Sequence, residues 1–316
     1  MDKTRDVALD FLKGICISLV VYAHLPMEGS LQGSLQALAA LIYTFHIQIF
    51  ILITGFLFSR KLDDGTRGVA KVANRMLKPY FVVAPINMFL YYVASIFGIK
   101  TTNTLNGGIL DAVTNILLGN GGGALWYLYT FGLMEVLMLL SGLFSWEDKK
   151  VKVVFQCLLA GLVFFLLRKV GLHLFAGWTP FFFLGVILGL GFDRLPRNVF
   201  CLLLAPIAYF VTGGRFEYLT IHFVYVLLVA FGILGLGELV KERMVGRIGA
   251  FLGRHSLVIL LFHPMVTTAV RLLARYILII DESGILLSVI ICIVDIVFCL
   301  AIECILRLVH LQRVIF

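Results

Sequence analysis

The chain has 316 residues, of which 61% are hydrophobic and only 14% charged, with a mean hydropathy of +1.02. Soluble domains are nearer a quarter charged, so this composition excludes a water-solvated globule and points to a chain solvated by lipid. The net charge of +8 comes from 26 Lys and Arg against 18 Asp and Glu. Its distribution, given below, reads as membrane topology and gives no reason to expect a nucleic-acid partner.

Ten apolar stretches, each near the roughly 20 residues needed to span a bilayer, run at about 9–26, 35–58, 79–98, 124–145, 151–168, 172–192, 198–213, 218–239, 256–279 and 284–306. None of the segments between them is long enough for a separate soluble domain. The expected architecture is therefore all-α: one polytopic membrane domain over residues 1–316 with about ten transmembrane helices. With the N-terminus inside, the outer side holds Lys100, Arg168, Lys169, Arg215, Arg271 and Arg275, leaving 20 of the 26 basic residues in the cytoplasm. That asymmetry fits the positive-inside rule and an even helix number, so both termini are expected in the cytoplasm of a cell-membrane protein.

The first stretch carries Arg5, Asp10, Lys13 and Gly14 before the apolar run Ile15 to Ala23, and ends at His24. At about 100° per residue, Asp10, Lys13 and His24 fall within about 60° of one another, and Lys13 and His24 are about 16 Å apart along the axis. Polar side chains on a membrane helix mark function by default; the plainer alternative places the charges in the headgroups and His24 at the far interface. Asp10 and Lys13 interrupt the apolar run, and no small-x-small site follows. The segment therefore reads as a retained helix and not a cleaved signal.

Between the second and third stretches lies the densest basic segment, Arg60 to Lys78. Lys71, Arg75 and Lys78 share one helical face at i, i+4 and i+7, and Pro79 follows. Two readings stand: an interfacial helix on anionic lipid, or a clamp for a phosphorylated ligand, since Arg and Lys are natural phosphate binders. Further on, Asn120-Gly121-Gly122-Gly123 lacks the Gly-Lys-Ser/Thr ending of a phosphate loop and reads as an outer loop.

Six cysteines lie in apolar stretches without Cys-x-x-Cys spacing, and the seven histidines form no His-x-x-x-His or His-Glu-x-x-His pair, so no metal site is signalled. His24, His46 and His263 sit within or at the ends of spans. Each by itself reads as a hydrogen bond to a neighbouring helix; together with Glu135 and Asp295 in mid-span they point to a polar interior cavity. No 20–50 residue repeat and no inverted pair of interrupted helices stands out.

Five segments resemble the integral-membrane acyltransferases of acyltransferase family 3. Lys13-x10-His24 reproduces the family's basic-residue-x10-His motif. Phe45-His46-Ile47-Gln48-Ile49-Phe50 through Thr54-Gly55 is similar to its Phe-His-Met-Pro-x-Phe-x-x-x-Ser-Gly pattern. Arg75-Met-Leu-Lys-Pro79 matches Arg-x-x-x-Pro, and Leu125-Trp126-Tyr127-Leu128 with Ser256 to His263-Pro264 matches the remaining motifs. Gln48, Thr54 and Leu260 depart from the family's usual Pro, Ser and Tyr.

The resemblance implies ten helices and transfer of an acyl group, usually acetyl, from cytoplasmic acetyl-coenzyme A (or another acyl-coenzyme A) to a hydroxyl of a carbohydrate or cell-envelope acceptor. His24 would be the general base. Lys13, Lys71 and Arg75 would hold the donor's phosphates, and Asp10, His46, Trp126, Glu135 and His263 would support the site or the acceptor. No residue stands out as oxyanion stabiliser. A transporter or flippase for a polar glycan or small solute is the competing class, since it too places charges inside a bundle.

Overall fold

A computed structural model describes residues 5–25, 27–96, 108–144, 148–216, 219–270 and 274–315. The expectations for Lys3, Lys100, residues 101–107, residue 147 and Arg271 lie outside them. Among the described residues all regular structure is helical. In chain order the helices are α1 (Val7–Ala23), α2 (Gln32–Tyr43), α3 (His46–Phe58), α4 (Gly65–Val72), α5 (Lys78–Ile96) and α6 (Gly108–Leu117). There follow α7 (Trp126–Ser141), α8 (Lys149–Lys169), α9 (Thr179–Gly191), α10 (Cys201–Val211) and α11 (Leu219–Val240). The last are α12 (Met244–Arg254), α13 (Ser256–Val270), α14 (Ala274–Ile280), α15 (Ile285–Leu308) and α16 (Gln312–Ile315).

Every apolar stretch of the sequence contains a helix, but their lengths differ. Among the described residues, five are long and apolar enough to cross a membrane: Gln32–Lys61, Gly123–Ser141, Lys150–Lys169, Leu219–Val240 and Ile285–Leu308. A sixth arises if α12 and α13, bent by 78° at His255, count as one broken span. At 1.5 Å per residue α9 and α10, of 13 and 11 residues, rise only about 20 and 17 Å, short of a hydrocarbon core of about 30 Å. The reason in α10 is local: Gly213 and Gly214 follow at φ 58° and 73° and stop the helix.

The chain divides into two compact units, Met1–Ile53 with Gly191–Ile302, and Thr54–Leu190 with Glu303–Phe316. In the first, α1 packs against α2, α11, α12 and α13. Lipid tails are as apolar as leucine, so close approach of backbones, and not transfer from water, must hold membrane helices together. Glycine permits it here. A Cβ on Gly14 would lie 1.9 Å from the Gly249 carbonyl oxygen, and one on Gly253 only 1.7 Å from that of Asp10. Gly249-x-x-x-Gly253 thus lets α1 cross α12 backbone to backbone. Arg197 adds an ionic tie, pairing with both Asp6 ahead of α1 and Glu238 on α11.

In the second unit α7 packs against α4, α5 and α8. Gly55 on α3 lies against α9, where a Cβ would meet the Phe182 carbonyl oxygen at 2.0 Å. Phe58, Phe131 and Phe182 stack around that crossing with ring centroids 5.8 and 5.9 Å apart. Between α4 and α5 the backbone winds as a π-helical turn, Ala73–Leu77. Such turns are rare and frequently mark functional positions.

Candidate functional site

Three of the histidines singled out from the sequence come together in the first unit. His24 ends α1 as its C-cap, His46 opens α3 and His263 lies in α13. The His24 and His263 rings are 5.3 Å apart, centroid to centroid, at 71°. Tyr43, at the end of α2, bridges to the third, edge-on to His24 at 6.0 Å and to His46 at 5.1 Å. Pro264 explains part of this placement. It has no N–H for the Leu260 carbonyl four residues back, and His263 Nδ1 lies 3.1 Å from that oxygen and 3.0 Å from Ile259 O.

The same contact recurs in all three. His24 Nδ1 lies 2.8 Å from Val20 O and His46 Nδ1 2.6 Å from Ile42 O. A carbonyl oxygen only accepts, so each Nδ1 carries the proton and each Nε2 carries the lone pair. Among the described residues, Nε2 of His46 and of His263 are buried without a hydrogen-bond partner, both residues being 0% exposed. Most buried polar atoms are paired, and an orphan calls for an explanation. Among the described residues, two acceptors of this cluster thus have no donor, which suits a ligand bearing an O–H.

The chain break that brings Tyr43 and His46 together contains neither glycine nor proline. The second apolar stretch forms one span, Gln32–Lys61, whose helix is interrupted at Thr44 and Phe45. The N–H groups of these two tighten onto Leu41 O and Ile42 O at 3.1 and 3.2 Å. Side chains take carbonyls at the break: Gln48 Nε2 donates to Tyr43 O at 3.2 Å, and His222 Nε2 lies 2.8 Å from Thr44 O. Thr44 donates its single hydroxyl proton to Leu41 O and lies 3.1 Å from the Tyr225 hydroxyl, which can donate to it. Sequence reasoning missed Tyr43 and His222 as members of the site. The one available signal was Gln48, standing where the family has a helix-breaking proline.

The other end of α1 is closed by its own charges. Asp10 is buried and paired with Arg5 and, at 2.9 Å, with Lys13. The polar stripe of α1 is therefore two features, a neutralised acid–base group at its start and an open imidazole at its end.

In the second unit each cation of the expected basic face has a partner of its own. Lys71 pairs with Asp64 at 2.9 Å, Arg75 pairs with Glu135 of α7, and Lys78 Nζ donates to Arg313 O at 2.6 Å. The π-helical turn between Lys71 and Lys78 departs from the 100° step that put all three on one face. Glu135 is 0% exposed, and its Oε1 has no hydrogen-bond partner. The Arg75 side chain is 41% exposed, so its fork of five donors serves Glu135 and still faces outward. Nearby on the same helix, the Tyr127 hydroxyl bonds Thr54, the residue in the family's serine position. Trp126 lies in an aromatic group, 4.2 Å from Phe175 and 5.4 Å from Trp178. In the first unit Asp295, also singled out in mid-span, accepts from Thr267 and lies 3.4 Å from Cys299 Sγ. Among the described residues no three His, Cys, Asp or Glu converge as a metal site.

Nodulation protein NolL of Mesorhizobium japonicum is 31% identical over 153 residues, covering 45% of this chain and 38% of that protein. No solved structure matches. The family model described as an acyltransferase domain matches residues 6–304, nearly the whole chain and all five motif segments. This chain belongs to acyltransferase family 3.

Proposed function

We propose that this protein is a multi-pass enzyme of the cell membrane, with about ten spans and both termini inside. It moves an acyl group, in the first place acetyl, from cytoplasmic acyl-coenzyme A to a hydroxyl on a carbohydrate or cell-envelope acceptor. The observation that carries the reading is the tautomer shared by His24, His46 and His263: each holds its Nδ1 proton on a helix carbonyl and offers the Nε2 lone pair. Of the three, His24 is only partly buried and stands at the helix end, so its Nε2 is the one an incoming hydroxyl reaches. It acts as general base. His46 and His263, both fully buried, support the cluster around it. Recognition of a hydroxyl-rich ligand by lone pairs is what a carbohydrate acceptor requires, and family membership supports the acyl chemistry.

The donor is a substrate with several phosphates, and Arg75 and Lys71 are the cations that fit them. Arg75 is half open while anchored by Glu135, and Lys71 is 66% exposed in its side chain with a single surface carboxylate to exchange. Purified protein in nanodiscs is expected to hydrolyse or transfer from acetyl-coenzyme A, and His24→Gln to lower that turnover about a hundredfold or more with donor binding kept. A transporter would leave acetyl-coenzyme A intact in both forms, and that outcome would overturn the proposal.

A further inference from the structure

The three imidazoles supply bases, but acyl transfer also needs a donor for the negative charge that develops on the thioester oxygen. None of the three provides one in the form described above, because every Nδ1–H is spent on a backbone carbonyl. One O–H lies among them. The Tyr43 ring is edge-on to both His24 and His46. Its hydroxyl donates to Ala23 O, the carbonyl just before His24, over a long 3.4 Å contact. The Tyr43 residue is 36% exposed. That phenol is therefore beside the proposed base, weakly engaged and accessible. Thr44, its neighbour, already donates to Leu41 O at 2.6 Å, and Ser18 on α1 to Gly14 O at 2.9 Å.

We infer that Tyr43 is the oxyanion donor of this enzyme and that Gln48 is the positioning residue that aims it. This rests on the acyl-transfer reading above. Gln48 is 2% exposed and donates through Nε2 to the Tyr43 carbonyl, across the break between α2 and α3. A proline at position 48 offers no side-chain donor for that carbonyl. The amide thus sets where the chain leaves α2 and hence where the Tyr43 ring stands between His24 and His46. In the reaction, His24 Nε2 removes the acceptor hydroxyl proton as the oxygen forms its bond to the thioester carbon. The carbonyl electron pair moves to oxygen and is met by the Tyr43 O–H. When the carbonyl reforms, the carbon–sulfur bond breaks, and the leaving thiolate takes the proton from the His24 imidazolium. No redox partner is involved, and Tyr43 keeps its proton throughout.

The test measures steady-state acetyl-coenzyme A turnover, by hydrolysis to free thiol, for wild type, Tyr43→Phe, Gln48→Leu and the double variant. Phenylalanine keeps the ring between the histidines and removes only the hydroxyl. Loss of one oxyanion donor is worth about 10²–10³ in kcat, so Tyr43→Phe is expected to lower kcat about a hundredfold with the acetyl-coenzyme A KM within about twofold. Gln48→Leu is expected to lower kcat less, on the order of tenfold. If Gln48 acts through Tyr43, adding Gln48→Leu to Tyr43→Phe costs little more, whereas a merely structural glutamine gives multiplied losses. Wild-type turnover with Tyr43→Phe unimpaired overturns this inference and leaves the acyltransferase reading standing. Absence of wild-type turnover overturns the reading beneath it. Multiplied losses in the double variant refute the role of Gln48.

Discussion

Gly253→Ala tests whether the crossing of α1 and α12 sets the histidine geometry. An alanine Cβ there would sit 1.7 Å from Asp10 O, 2.7 Å from Asp10 C and 2.9 Å from Gly14 N. Real Cβ contacts essentially never fall below 3.0 Å, so the two backbones must part by about 1.3 Å, the difference between 3.0 and 1.7 Å. No flexible side chain absorbs the change, because all three atoms are main chain. Overpacking of this kind costs about 1–3 kcal/mol or more. It also displaces α1, which carries His24, from α12, which leads through the 78° bend into α13 and His263. A misplacement near 1 Å costs about a hundredfold in rate. The expected result is a protein that still inserts, melts lower, and turns over acetyl-coenzyme A roughly a hundredfold more slowly. Gly33→Ala is the control: a Cβ there meets nothing within 4 Å, so activity is kept and helix α2 gains about 0.5–1 kcal/mol. Nanodisc turnover together with thermal unfolding reads both. Wild-type rate and melting in Gly253→Ala would refute the argument that this crossing positions the imidazoles.

Two further outcomes are expected. Arg75→Ala leaves Glu135 buried without its partner, which costs on the order of 3 kcal/mol. Adding Glu135→Gln should restore the melting temperature while the donor KM stays about ten- to a hundredfold raised, and a double variant with wild-type KM would reduce Arg75 to a structural partner of Glu135. In a cysteine-free background, single cysteines at 60–78, 147–152 and 238–254 should resist a membrane-impermeant thiol reagent in intact cells and those at 100–122 should react. Labelling of 60–78 from outside would refute the topology.

Composition alone established a helical, lipid-solvated chain, because 14% charge and recurring apolar stretches leave few other ways to satisfy the backbone. Order and spacing of the motifs identified the family, and Lys13-x10-His24 places its two groups about three turns apart on one helix whatever the rest of the chain does. The sequence could also pick out His24, His46 and His263 as polar residues in apolar surroundings. That they meet was decided by contacts between residues far apart in the chain: the glycine crossing of α1 on α12, and the bend that turns α13 toward His24. The division between α2 and α3 was beyond reach for a related reason. Glycine and proline announce a break locally, but this one is held by hydrogen bonds from Gln48 and from His222, 178 residues away from Thr44. The basic stripe at Lys71, Arg75 and Lys78 shows the same limit. Helical periodicity put three cations on one face, but a π-helical turn and three separate acceptors, Asp64, Glu135 and the Arg313 carbonyl, determine where each charge is spent. Periodicity is a property of the local chain; a partner for a buried charge is chosen by the fold.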